Sequence, residues 1–109
     1  MHFYQLFKGY RKIKQKIKGK TYTLAIADTP IKKKIGLSKV KDLPRNCGML
    51  FVYSTPVDHS FTMKNTSVPL NIIFLDRNMN YLSSFKCSAY SKKKIKPEKS
   101  YSYVIEIPV

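Results

Sequence analysis

A chain of 109 residues, 43% of them hydrophobic, has material for one domain and one core. Its 21 Lys and Arg against 6 Asp and Glu give a net charge of +15. That charge opposes compaction and calls for an anionic partner, nucleic acid, an acidic protein surface or an anionic membrane; a merely solvated Lys-rich surface is the alternative. No apolar run approaches the roughly 20 residues of a membrane-crossing helix. Met1–Phe7 lacks the charge-then-apolar order of an export signal, so the expected location is cytoplasmic, in a host or a viral particle. Two Cys (Cys47, Cys87) and two His (His2, His59) are not spaced as a metal set. Reduced thiols are the expectation without an export signal, and one bridge the alternative.

Residues 1–20 form a basic tract of Lys8, Arg11, Lys12, Lys14, Lys16, Lys18 and Lys20 with no acid. It reads as a basic arm or helix, or as a first strand over Lys14–Lys18 turning at Gly19, where a hairpin needs a permissive backbone. Residues 21–109 read as a single β domain. Thr21–Ala27 alternates as a strand does, with Tyr22, Leu24 and Ile26 on one side. Thr29 and Pro30 fit the cap and first position of a short helix near 30–36, with Ile31 and Ile35 on one face, Lys32, Lys33 and Lys34 toward water, and Gly36 closing it. Met49–Tyr53 reads as a strand buried on both faces, Ser54–Ser60 as a loop, Phe61–Met63 as a short strand and Lys64–Pro69 as a tight bend. Leu70–Leu75 is the most apolar strand. Asp76–Asn80 is a hairpin loop to a strand at Tyr81–Cys87. After a second basic loop with Lys92, Lys93, Lys94 and Lys96, Tyr101–Ile107 alternates Tyr101, Tyr103, Ile105 and Ile107 against Ser102, Val104 and Glu106. The expected fold is mainly β, a β-rich α+β domain: an antiparallel sandwich or partly open barrel of six or seven short strands with one short helix.

Five blocks in order carry a family likeness: Gly36-Leu37; Leu43-Pro44; Gly48–Val52; Phe61-Thr62-Met63-Lys64-Asn65-Thr66; and Pro69–Asp76. With Thr29-Pro30 and Val104–Pro108 at the flanks, the chain over roughly 21–109 resembles the domain-of-unknown-function family numbered 192. The resemblance implies a compact, mainly β domain with a short helix and no established activity, cofactor or substrate. The sequence departs from the family pattern in three places. Thr62 stands where the family usually has Trp, Asn71 where it usually has Asp, and the sequence ends at Val109, where the family usually runs on to a further strand. That ending is expected to leave a strand edge for a partner chain, in a homo- or hetero-assembly, to cover.

The resemblance places a candidate ligand pocket at Met49, His59, Phe61, Met63, Lys64, Asn65, Thr66 and Asn71. Read from the residues alone, Asn65 and Thr66 equally suit turn-capping roles. No catalytic residue, metal or cofactor is expected. Asp58 and His59 are chain neighbours and point apart on an extended backbone, and nothing in the sequence brings Cys47 to His59. The leading expectation is a non-enzymatic binding or assembly module docking its basic tracts on a polyanion within a ribosomal or viral particle, with Tyr4, Tyr10, Tyr90 and Tyr101 available to stack on bases. The alternative is a small-ligand or weakly catalytic pocket around Lys64, Asn65, Thr66 and Asn71.

Overall fold

A computed structural model describes residues 2–109. It is mainly β: six strands form one mixed sheet, in the order β1-β2-β3-β6-β4-β5, with two short helices. The strands are β1 (Lys12–Ile17), β2 (Lys20–Ala27), β3 (Cys47–Val57), β4 (Leu70–Leu75), β5 (Tyr81–Cys87) and β6 (Tyr101–Pro108); the helices are α1 (Phe3–Leu6) and α2 (Pro30–Ile35). The sheet is open, with β1 and β5 as its edges.

Two antiparallel hairpins flank the centre. β1 turns into β2 through Lys18 and Gly19, both at positive φ, and β4 turns into β5 through the Asp76–Asn80 loop. In that loop the Asp76 Oδ1 accepts from the amides of Asn78 and Asn80, each at 2.9 Å. Those bonds, the Asn80 amide first, hold its carboxyl below the usual range. The centre is non-local. β2 runs parallel to β3, and the last strand inserts antiparallel between β3 and β4.

The larger core covers one face. Phe51, Met49, Met63, Ile72, Phe74, Tyr101 and Val104 form it together with Leu37, Val40 and Leu43 from the stretch after α2. Phe3 and Phe7 are 5% and 2% exposed in the same cluster. The start of the chain therefore packs on the sheet instead of projecting as an arm, because its aromatic rings outweigh its charges. A smaller apolar layer of Leu24, Leu50, Ile73, Leu75, Ile105 and Ile107 lines the opposite face.

Several local expectations change. β3 continues through Ser54–Val57, and Phe61–Met63 is reduced to one bridge between Phe61 and Ile95. Tyr101 enters the larger core and Tyr103 packs on the other face, although both were expected on one side; opposite them β3 carries a register shift between Val52 and Val57. In α2 the Thr29 hydroxyl accepts from the Lys32 amide at 3.2 Å and Pro30 takes the first turn, as expected. The helix is rotated, however. Ile31 is 72% exposed while Lys32 and Lys33 are half-buried. Their ammonium groups explain this: Lys32 lies 4.8 Å over the Tyr10 ring, and Lys33 lies 4.2 Å over Tyr53 and donates to the Val52 carbonyl at 2.9 Å. Their alkyl stems thus cover the core. The last strand is interior, so the expected free edge is not at the C-terminal end. The edges are β1 and β5, whose exposed Lys14, Lys16 and Lys86 discourage edge pairing with another strand.

Candidate functional site

The segment after β3 returns across the larger core. Tyr101 fixes its path: the ring is fully buried, and its hydroxyl donates to the His59 carbonyl at 2.6 Å. Burial first, then the Tyr53 hydroxyl and Asp58, push the Tyr101 hydroxyl well above its ordinary pKa. Tyr101 therefore holds structure and is closed to stacking on a base, whereas Tyr4 and Tyr90 are exposed. Tyr101→Phe is expected to lower stability by about 1 kcal/mol, the net worth of one such bond, read as a lower urea midpoint with an unchanged slope.

Beyond His59, Phe61 packs edge-on against Phe51 and Phe74 at 5.4 and 5.6 Å. The chain then turns through residues 62–66, where the Thr62 hydroxyl accepts from the Lys64 amide at 3.3 Å and the Met63 carbonyl accepts from the Thr66 amide at 3.0 Å. Thr62 in turn donates to the Ser91 carbonyl at 3.2 Å. This bend stands over the end of α2. Between them lies a pocket of about 220 Å³ bounded by Lys33–Ser38, Phe51, Phe61, Thr62, Lys64–Thr66 and Glu106. Three of the five blocks that carry the family likeness supply part of its wall, as does the C-terminal flank.

Of the pocket residues expected from the sequence, Phe61, Lys64, Asn65 and Thr66 meet there. Met49 is fully buried and Met63 2% exposed, so both are core. His59 is exposed beside Tyr53, 6.2 Å between rings, and no hydrogen bond joins it to Cys47, whose thiol faces Asn46. Both Cys47 and Cys87 are free. Asn71 lies on the other face, because β4 alternates and Leu70, Ile72 and Phe74 take the core side. There it borders a trough of about 610 Å³ floored by Ile73, Leu75, Ile105 and Ile107. The expected Lys64–Asn71 pairing is thus split by the sheet.

Glu106 was not anticipated. It sits on β6 opposite Met49 of β3 and Ile72 of β4, both fully buried, and is itself 7% exposed. Its carboxyl faces the pocket, and burial alone pushes its pKa up to about 8. No cation offsets it: among the described residues the one ion pair joins Arg11 and Asp28 at 3.2 Å. Glu106 in turn adds to the upward shift that burial gives Tyr53, to about 12, and Cys87. The sequence signal was a lone acid within the apolar Val104–Ile107 run, which strand alternation had assigned to a polar face.

The basic tracts fall at two places. Lys8–Lys20 and α2 meet through Tyr10 and Lys32 near the β1 edge, and Lys92–Lys96 adjoins Met63 and β5 at the far edge. Lys12 is occupied, donating to the Phe7 and Tyr10 carbonyls at 3.0 Å each, as is Lys33. Lys8, Lys14, Lys16, Lys18, Lys20, Lys34, Lys92, Lys93, Lys94 and Lys96 are exposed. Among the described residues no group of three or more His, Cys, Asp or Glu is placed to hold a metal, and no helix is long and apolar enough to cross a membrane.

Comparison with known proteins places the fold. A protein of Sinorhizobium meliloti described as a "putative transcription regulator" superposes with a TM-score of 0.81 at 24% identity, over 92% of this chain and 82% of that one. A protein of unknown function from Novosphingobium aromaticivorans gives 0.74 at 20% identity, over 94% and 84%. At such identities the likeness concerns the fold. No curated protein matches. The DUF192 pattern, described as "Uncharacterized ACR", matches residues 12–109, extending the recognisable region back through β1, and the chain belongs to that family.

Proposed function

We propose that the protein is a non-enzymatic binding module whose basic surface docks on a polyanion. The observation that carries this reading is the near absence of internal neutralisation: 21 basic residues and one ion pair among the described residues. Cations at both sheet edges suit loose, sequence-independent contact with phosphates better than a single groove. Nucleic acid is the polyanion of choice, and a place within a ribosomal or viral particle in the cytoplasm belongs to the same proposal.

Anisotropy with a labelled single-stranded oligonucleotide across a salt series tests it. Affinity should fall steeply with salt, with a log–log slope of about −0.7 per phosphate contacted. Charge reversal at Lys14, Lys16 and Lys18, or at Lys92, Lys93 and Lys94, should each flatten that slope by roughly 2. Absence of binding even at low salt sinks the reading. A second reading, a small ligand in the α2 pocket, is favoured by Glu106, a buried acid facing open space without a partner.

A further inference from the structure

Glu106 raises a question that the polyanion reading leaves unanswered. A carboxyl 7% exposed, beside fully buried Met49 and Ile72, lacks a cation of its own chain. A buried acid is costly unless something pairs with it. The nearby lysines do not: Lys33 is turned onto the Val52 carbonyl and the Tyr53 ring, and Lys34 and Lys64 are exposed at the mouth. The pocket is therefore of mixed charge, acidic below and basic above. Its side is formed by the Phe51 and Phe61 rings, packed edge to face with centroids 5.4 Å apart.

We propose that this pocket binds a small zwitterion, its ammonium seated on the Glu106 carboxylate and its carboxylate held at the mouth by Lys34 and Lys64. The inference rests on the second reading above and names its ligand class. A bare amine must enter against the field of a +15 protein, and a bare acid leaves Glu106 unpaired. A molecule with both groups meets both ends, and the volume of about 220 Å³ limits it to a few carbons between them.

Protons report the pairing. The titratable or charged groups around Glu106 are Lys33 and Lys34 on α2, Lys64 in the bend, Tyr53 on β3 and Cys87 on β5. With Tyr53 near 12 and Cys87 above its ordinary value, Glu106, at about 8, is the one of the three acids that changes charge near neutrality. Burial therefore favours its protonated form at neutral pH, so an ammonium that ionises it expels a proton.

Calorimetry of the full chain with 4-aminobutyrate, butylamine and butyrate, in two buffers of different ionisation enthalpy, tests the proposal. We expect 4-aminobutyrate to bind at least about tenfold tighter than either single-charge analogue, to release close to one proton at pH 7, and to bind roughly tenfold tighter at pH 9. Glu106→Gln, the same size and uncharged, should abolish the proton release and the preference for an ammonium. Lys64→Met, at an exposed site, should erase the advantage of 4-aminobutyrate over butylamine. Butyrate binding as tightly as 4-aminobutyrate without proton release overturns the zwitterion and leaves a pocket for acids. No heat from any of the three overturns the ligand pocket along with it.

Discussion

At pH 8.5, Glu106→Gln is expected to melt about 10 °C or more above the unaltered protein, while at pH 5 the two should lie within a few degrees. Burial raises the folded carboxyl from 4.5 to about 8, so between those values the folded state holds a proton that the unfolded chain releases. Stability associated with this group is complete below pH 4.5 and is lost as pH rises through 8. The full difference corresponds to roughly 3–5 kcal/mol, a large share of the 5–15 kcal/mol that holds a typical domain together. Glutamine removes the titration and retains the shape. Thermal melts of both proteins from pH 4 to pH 9 read the difference directly. Parallel curves across that range would mean that Glu106 reaches solvent or a partner when ionised. A small amine or zwitterion that lifts the melting temperature of the unaltered protein at pH 8.5, and not that of the variant, would link this stability effect to the pocket.

Gly48→Ala should prevent or cripple folding, by about 3 kcal/mol or more. Gly48 lies on β3 beside β6, and a Cβ there would collide with the Glu106 carbonyl oxygen and crowd the Ile107 Cγ2 and Leu24 Cδ2 at 2.8 and 3.1 Å. The first is backbone in the middle of the sheet, which has no rotamer to change. The strands must separate where β3 joins β2 in parallel and β6 antiparallel, so the damage reaches three strands at once. A urea midpoint, or a soluble yield falling to nothing, measures it. An alanine variant of near-normal midpoint would show that β3 and β6 are further apart than described. Gly36→Ala makes the contrasting comparison: its Cβ would meet the Phe51 ring at 3.3 Å and its φ is +49, so strain at a helix end, not strand separation, would be the result.

Local chemistry made much of the fold legible. Alternation marked β2 and β6, an apolar run of strand length marked β4, β5 was marked by the hairpin loop before it, and Thr29, Pro30 and Gly36 bounded α2. Asp76 and Gly19 marked the two hairpins. The family blocks also led to part of the pocket, through Phe61, Lys64, Asn65 and Thr66. Asn71 was misplaced because Leu70–Leu75 is apolar on nearly every position. Such a run shows that a strand is buried and does not show which residues take which face. The rotation of α2 was missed because lysine counts as polar in any periodicity, although here two ammonium groups reach ring faces and a carbonyl and leave their stems inward.

The sequence by itself determined that this is a mainly β chain of the DUF192 family, where most of its strands lie, and that its composition is strongly basic. Those properties follow from neighbours along the chain and from composition. Tertiary structure alone decided that β6 is central. That single placement buries Glu106 and closes the C-terminal strand to edge pairing. Pairing between strands distant in sequence is set by which apolar faces meet, and no residue on β6 announces its partners. A glutamate in an alternating strand reads as solvent-facing until strands are known to lie on both sides and a loop above.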